Sequence, residues 1–521
     1  MQILRAESAK LLNFAAKLCH FGFPMKSAEI VMPATLVAYF LLLIYISRRV
    51  SRKGAGGGND DFFRAGHSSP WWMVAVGMVG ASISGVTFMS VPGWAAATGM
   101  TYLQMCLGFI PGYLLVAYVL LPVYYKLRLT SIYTVLADRL GKHSHRTGAA
   151  FFVLSKLTGA AARLFPVCLV LDTFVARPLL RAAGFALGNT LTLCLTALAL
   201  LGLMWGYTRR GGIKVLVRTD MLQTACMLGA AVAILFAVIG TPQMGWGTVA
   251  ELWRGSEMTR VFDWDWSHTT NFWRQFISGM FIVVVMTGLD QDMRQKNLTC
   301  KDLRSAQKEM CLYGTAFLPV NFLFLFLGVL LYTFCARTGI ALPQSGDELL
   351  TAVVASGALG WGVCIAFAIG LSAAAFSSAD SALTALTPTI CIDLLRLENR
   401  EGLTAAEQVK IRRRVHICVV VAVVLMLLAF RLVGDAASLI NAIYVIASYT
   451  YGPLLGLFAY SLFVKHTAVR DRYVPAVCIA APLICLVLDL NSQQWFGYKF
   501  GYELLLLNGL ITFGGLLALR K

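Results

Sequence analysis

Residues 80–93 read GASISGVTFMSVPG and lie in the middle of an apolar stretch, 71–96, that is long enough to cross a membrane. Glycine and serine weaken a helix inside such a span, so local unwinding there leaves backbone carbonyls facing a cavity. Five spans further along, the apolar stretch 271–289 carries Gly279 and Gly288. Interrupted helices in corresponding positions of two halves of a chain indicate a secondary transporter built from inverted repeats.

The composition indicates a membrane protein made of many helices. Of the 521 residues, 58% are apolar and only 13% are charged. Too few polar residues remain to cover the surface of a soluble protein, and the apolar content also excludes disorder. The sequence contains no Walker A motif, which argues against transport driven by ATP. We therefore expect an all-α polytopic membrane protein.

A span needs about 20 mostly apolar residues. Thirteen segments of the sequence fit this requirement, namely 30–47, 71–96, 102–125, 149–175, 188–207, 213–240, 271–289, 313–336, 358–387, 415–432, 437–463, 473–490 and 500–519. Because the number is odd, the two termini are predicted to lie on opposite sides of the membrane.

The excess of positive charge predicts the orientation of these spans. The chain has 44 Lys and Arg against 26 Asp and Glu, a formal net charge of +18. With a cytoplasmic C-terminus and an external N-terminus, 30 of these cations fall on cytoplasmic segments and 8 on external connections. This is the positive-inside pattern of a multi-pass membrane protein. The expected location is the plasma membrane, the inner membrane of a bacterium. The charge therefore records topology, and we expect the lipid bilayer, and no nucleic acid, as a partner.

The first 29 residues do not resemble a signal peptide, because lysines interrupt the apolar stretch. Their four cations fit poorly on an external tail. Met25 or Met32, just before the first span, is therefore a candidate start of the protein.

Ionisable residues inside spans are costly, so each is a candidate functional residue. They are Lys156 and Arg163 on the fourth span, Asp220 on the sixth, Asp290 at the end of the seventh and Asp380 on the ninth. The guanidinium of Arg163 fits a carboxylate, which belongs either to a substrate or to an intramembrane aspartate. Lys156 lies nearer the cytoplasmic end and is expected to extend towards water.

The ninth span carries a second polar signal. Residues 372–387 read SAAAFSSADSALTALT, in which Ser377, Asp380 and Ser381 recur at helical spacing and so share one face. Hydroxyl, carboxylate and carbonyl oxygens are the ligands of a hard cation. The alternative is that these small residues only allow close helix packing. The pattern favours an ion site.

Four segments resemble a known family. They are DDFFRAGHSSPWWMVAVGMVGASISGVTFMSVPGWAAATG (60–99), YTRRGGIKVLVRTDMLQ (207–223), GLDQDMRQKNLTCKDLRSAQK (288–308) and AAFSSADSALTALTPTICIDL (374–394). In order and spacing they resemble the sodium:solute symporter family, and the likeness covers residues 33–463. The resemblance implies a leucine-transporter-like five-plus-five inverted repeat with about 13 transmembrane helices.

The same resemblance implies three parts of the chain. Residues 1–70 form a tail, an extra span and a cytoplasmic loop. Residues 71–463 form the ten-helix transport core, with repeats at 71–240 and 271–463. Residues 464–521 form two extra C-terminal spans.

The resemblance also implies residues for sodium. The main site is made of the carbonyls of Gly80, Ile83 and Ala374 and the hydroxyls of Ser377 and Ser378. A second sodium site, present in some members of the family, corresponds to Asp220, Ser377, Asp380 and Ser381. Asp380 either strengthens that second site or forms an ion pair with Arg163 or Lys156.

For the substrate, the chain departs from two branches of the family. The positions that bind sugar hold Val86, Thr87 and Met286 instead, and the aspartate of the proline branch is replaced by Ser82. The likeness is closer to the sialic-acid-transporting branch. The substrate-binding residues implied by these alignments are Ser82, Ser84, Thr87, Gln104, Arg163 and Met286.

The sequence therefore predicts a sodium-coupled symporter that imports a small organic solute bearing a carboxylate, such as a sialic acid, by alternating access. We expect no cofactor besides the coupling ion, no enzymatic activity and a functional monomer. The alternatives are sodium symport of a neutral sugar or amino acid, and proton coupling through Asp220 and Asp380. A membrane-embedded enzyme is disfavoured, because the catalytic motifs HExxH and GxSxG are absent from the sequence.

Overall fold

The computed structural model describes residues 27–53, 69–127, 131–185, 187–208, 212–397, 404–433, 439–464 and 468–521. The candidate start Met25 and much of the predicted N-terminal part, 1–70, lie outside these residues.

Helices form nearly all of the described chain. Their bounds, with π-helical turns included, are α1 (Ser27–Lys53), α2 (Trp71–Ser82), α3 (Gly85–Thr98), α4 (Tyr102–Lys126), α5 (Thr134–Arg139), α6 (Lys142–Ala182), α7 (Asn189–Thr208), α8 (Gly212–Ile239), α9 (Trp246–Gly255), α10 (Phe272–Gly288), α11 (Gln291–Asn297), α12 (Leu303–Thr338), α13 (Leu349–Ala355), α14 (Gly360–Leu394), α15 (Ala405–Val433), α16 (Leu439–Thr450), α17 (Gly452–Phe463), α18 (Val474–Phe496) and α19 (Leu504–Ala518).

Within the described ranges, seven helices are long and apolar enough to cross a membrane, and three further spans are bent pairs of helices. Three shorter apolar helices, in α1, α7 and α19, correspond to the remaining predicted spans. The apolar segments described in these helices have 10–17 residues, fewer than the roughly 20 of a full crossing, so the count of thirteen stays a prediction. The all-helical architecture itself agrees with the sequence analysis.

The first bent pair is α2–α3, where the axis turns by 64°. The last hydrogen bond of α2 runs from the amide of Ile83 to the carbonyl of Val79 at 2.9 Å, and α3 begins with a bond from Phe88 to Ser84 at 3.1 Å. Ile83 and Ser84 have extended backbone angles. The last carbonyls of α2 therefore have no partner within the helix, as at any helix end. This break lies in the segment that the glycines and serines predict.

The second bent pair is α10–α11, which turns by 71° after Gly288. Asp290 caps α11, because its side chain accepts bonds from the amides of Asp292 at 2.8 Å and Met293 at 3.4 Å. The interruption predicted in 271–289 therefore lies at its end. The helix is continuous through Gly279, where the missing side chain lets the backbone of Met105 approach.

Helix α14 lies at the centre of the bundle. In its most apolar window 78% of residues are buried, whereas only 22% are buried in the windows of α15 and α18. Helices α8, α6 and α2 pack against α14, and α8 also packs against α2. The ninth predicted span, with its small and polar residues, is therefore enclosed by protein, while α15 and α18 expose apolar side chains as lipid-facing helices do.

Helices α4 and α10 cross at very close range. A Cβ atom at Gly108 of α4 would overlap with the backbone carbonyl of Phe276 on α10. A backbone carbonyl cannot rotate away as a flexible side chain can. Only glycine therefore fits at position 108 without separating the two helices.

We expect Gly108→Ala to destabilise the protein by about 1–3 kcal/mol, because the new methyl group overpacks this contact. The measurement is the melting temperature in detergent. Gly202→Ala is a matched control, because among the described atoms none lies within 4 Å of a Cβ at this helical position. A melting temperature of Gly108→Ala equal to that of the Gly202→Ala protein would contradict the close crossing.

Candidate functional site

A cavity of about 90 Å³ lies where the broken pair α2–α3 meets helices α4, α6, α10, α12 and α16. Five of the six residues that the sequence analysis assigns to substrate line this cavity, namely Ser82, Ser84, Thr87, Arg163 and Met286. The structure thus brings together residues that are up to 204 positions apart in the chain. Their role in binding stays a prediction.

Gln104 lies elsewhere. Its side chain is buried, donates to the carbonyl of Thr270 at 2.8 Å and accepts from the amide of Asp263 at 3.0 Å. The amide group therefore ties α4 to the loop that precedes α10. Tyr102, two positions earlier in the chain, lines the cavity instead.

A second cavity, of about 770 Å³, opens at the end of the bundle that the predicted topology places outside the cell. Thr98, Thr101 and Lys499 are among its lining residues, and Tyr102 lines both cavities. The hydroxyls of Tyr102 and Tyr444 are 2.7 Å apart. Tyr102 is thus part of the wall that the two cavities share.

Two cations line the central cavity, and they differ in their partners. The ammonium of Lys156 lies 2.8 Å from Asp290 and 3.4 Å from Asp292, all three side chains being buried. The expectation that Lys156 extends towards water was wrong, because two carboxylates at the α10–α11 break hold it inside. No ion pair joins Arg163 to a carboxylate within the part of the chain that the structure describes. Its partly buried guanidinium faces the cavity.

The residues expected at the main sodium site come from the two facing segments. Gly80 and Ile83 end α2, while Ala374, Ser377 and Ser378 lie on α14, which packs against α2. Both serine hydroxyls are buried. The hydroxyl of Ser378 donates to the carbonyl of Ala374 at 3.0 Å, which leaves the lone pairs of the serine oxygen available to a cation.

Gly80 also explains how closely α2 and α8 can pack. A Cβ atom at Gly80 would overlap with the hydroxyl of Thr224 on α8. That hydroxyl donates to the carbonyl of Val76 on α2 at 2.9 Å. The contact brings Asp220, one turn before Thr224, close to the broken helix.

One known protein family matches most of this chain. Residues 62–470 match the model of the sodium:solute symporter family. The chain belongs to this family. It is therefore a symporter of the membrane and not an enzyme.

Two curated relatives have names that specify a substrate. The sodium/sialic acid symporter SiaT of Proteus mirabilis is 24% identical over 490 residues, which are 92% of each chain. The sodium/sialic acid symporter NanT of Aliivibrio fischeri is 24% identical over 98% of this chain and 94% of its own length.

The structure is also similar to that of a sodium-coupled sialic acid symporter solved in a substrate-bound outward-open state. The TM-score is 0.76 at 19% identity, over 94% of this chain and 99% of the other. At this identity the likeness shows the fold, which is the predicted leucine-transporter-like fold.

The symporter contains a chain of buried charges that extends from the cavity to α8. It begins with Lys156 and passes through Asp290 and Asp292 to Lys296 and Asp220. The ammonium of Lys296 lies 2.9 Å from a carboxylate oxygen of Asp220 and 3.8 Å from Asp292. The residues that would hold a second sodium ion therefore have a lysine among them.

Sequence reasoning missed Lys296 and Asp292, because hydropathy assigns them to a cytoplasmic loop. The sequence nevertheless contains a signal for these two residues. Asp290 and Asp292 follow the glycine at the end of an apolar span, and Lys296 stands four residues after Asp292, where a helix places opposite charges on one face.

We expect Lys156→Met to lower the stability of the symporter by about 3–5 kcal/mol, because it leaves buried carboxylates without their cation. The double variant Lys156→Met with Asp290→Asn is expected to recover part of the loss. Melting temperatures in detergent measure both effects. If the double variant is no more stable than Lys156→Met, the two residues do not interact as a buried pair.

Proposed function

We propose that this protein couples the inward movement of sodium to the uptake of a solute that bears a carboxylate, and that the solute is a sialic acid. The observation that carries the proposal is the guanidinium of Arg163, which faces the central cavity and forms no ion pair with a described carboxylate. The names of SiaT and NanT supply the identity of the acid.

A cation inside the membrane is expensive unless it has a partner. In this cavity the other cation, Lys156, forms ion pairs with two carboxylates, whereas Arg163 forms no ion pair with a described carboxylate. A bound carboxylate would complete the pair, since the guanidinium presents two parallel N–H donors that match it. A neutral sugar has no carboxylate with which to form this pair.

The other polar groups of the cavity suit a polyhydroxylated acid. Ser84, Thr87, Tyr113 and Tyr451 contribute hydroxyls to the lining. Hydroxyl groups both donate and accept hydrogen bonds, so they match the hydroxyls of a sugar acid. Apolar side chains make up the rest of the wall, as in most small-molecule sites.

The sodium ion is proposed to bind between the end of α2 and the middle of α14. Its ligands are the carbonyls of Gly80, Ile83 and Ala374 and the hydroxyls of Ser377 and Ser378. An ion in this place holds the broken helix against α14 and so orders Ser82 and Ser84 beside it. The solute then binds better when sodium is bound, and the reverse holds by linkage.

Several finer points belong to the same proposal. The protein lies in the bacterial inner membrane with its N-terminus outside and its C-terminus in the cytoplasm. It functions as a monomer, without a cofactor other than sodium. The core consists of two repeats, at 71–240 and 271–463, flanked by 1–70 and 464–521.

Coupling to protons through Asp220 is the less favoured alternative, because Lys296 is paired with that carboxylate.

We expect Arg163→Ala to reduce sodium-driven uptake of radiolabelled sialic acid into proteoliposomes by 100-fold or more, roughly the 3 kcal/mol of a charge-assisted hydrogen bond. Arg163→Lys is expected to restore uptake only in part, because an ammonium cannot bind a carboxylate bidentately. Arg218→Ala is the control, since Arg218 is exposed on α8 away from the cavity.

The methyl ester of the acid provides a sharper version of the same test. The wild-type protein is expected to bind the acid much better than the ester, whereas Arg163→Ala is expected to bind both equally weakly. If the variant still prefers the acid by the wild-type ratio, the carboxylate binds somewhere else.

For sodium, we expect Ser378→Ala to raise the sodium concentration at half-maximal uptake by about tenfold, because one of five ligands is lost. Ser372→Ala is a matched control. Ser372 lies on the same helix, is equally buried and donates to the carbonyl four residues earlier at 2.6 Å, as Ser378 does at 3.0 Å. Equal sodium dependence of the two variants would contradict the proposed site.

A further inference from the structure

The side chain of Lys296 occupies a position that has no role in the proposed transport cycle. Its ammonium lies 2.9 Å from one carboxylate oxygen of Asp220 and 2.6 Å from the hydroxyl of Ser381. The other carboxylate oxygen of Asp220 accepts a bond from Ser377 at 3.0 Å. All four side chains are buried.

These oxygens form a small anionic pocket between α8 and α14. A carboxylate and two hydroxyls are hard ligands that suit a monovalent cation, and an ammonium group with three N–H donors uses the same lone pairs. A sodium ion bound to Asp220 and Ser381 would lie within a few ångströms of the ammonium. Two positive charges at that separation in a buried site repel strongly, so the lysine and the ion exclude each other.

The lysine is also held in this position. It lies on α11, whose start is capped by Asp290, and Asp292 one turn earlier lies 3.8 Å from the ammonium. The side chain is only 1% exposed. Because the cation is part of the chain, it occupies the pocket without having to be taken from solution.

We propose that Lys296 is a built-in cation that replaces a second sodium ion between Asp220, Ser377 and Ser381, so that one sodium ion accompanies each solute. The proposal deepens the proposed function and depends on it for the first sodium ion. One sodium ion moving with a monovalent carboxylate transfers no net charge, so transport of such an acid is electroneutral.

The test is to count the radioactive sodium ions that bind at saturation to purified protein without solute. Wild-type protein is expected to bind one ion. Lys296→Ala opens the pocket beside Asp220 and is expected to bind two, whereas Lys296→Arg keeps the charge and is expected to bind one. Ser378→Ala in the wild-type background is expected to bind the single ion about tenfold more weakly.

The outcomes separate the two proposals. Two ions bound to the wild type, or one ion bound to folded Lys296→Ala, would overturn the role of Lys296. No ion bound to the wild type would contradict sodium coupling itself, while a gain of one ion in Lys296→Ala would still support the lysine. If Lys296→Ala does not fold, Lys296→Ser replaces it and the wild-type count decides.

A second measurement uses the membrane potential. In proteoliposomes with a fixed sodium gradient, an inside-negative potential set with potassium and valinomycin is expected to leave the initial rate of sialic acid uptake unchanged. In Lys296→Ala the same potential is expected to increase the rate severalfold, because a second charge then moves inwards. A wild-type rate that rises with the potential would contradict the single sodium ion.

Discussion

The structure depends on the rule that a backbone polar group in the hydrocarbon layer must have a partner. A continuous helix satisfies its own groups, and most spans of this symporter do so. The break between α2 and α3 departs from the rule, because the carbonyls that end α2 have no intrahelical partner. Such a break is tolerable only inside the protein, and α8 and α14 enclose it. Two of those carbonyls, of Gly80 and Ile83, are among the five oxygens proposed to bind sodium.

The same rule applies with more force to charges. Lys156, Asp290, Asp292, Lys296 and Asp220 are buried, and each is paired within one connected network. A buried pair contributes little net stability, but removal of one partner is costly. The network therefore acts mainly to keep α6, α8 and α11 in a single arrangement around the two breaks.

One cation beside this network forms none of its ion pairs. Arg163 lies on α6, two turns after Lys156, and faces the cavity without a described carboxylate. This cation is the one proposed to bind the carboxylate of the solute. Tyr102 lines both this cavity and the larger one, and its hydroxyl lies 2.7 Å from that of Tyr444. The residues proposed to bind the anion and those proposed to bind sodium thus lie close to the break between α2 and α3.

The sequence by itself determined the helical membrane fold, the break near Gly80 and the family, because hydropathy, helix-weakening residues and motif spacing are local properties of the chain. It also identified Arg163 and Asp220, since any charge within an apolar span is conspicuous. Only the tertiary structure decided which side chains and backbone groups these polar residues contact. Lys296 is paired with Asp220, Lys156 is buried rather than extended to water, and Gln104 binds a loop, because each depends on which helices pack together. Hydropathy assigns Lys296 to water, and only the sharp turn at α10–α11 brings it back into the protein.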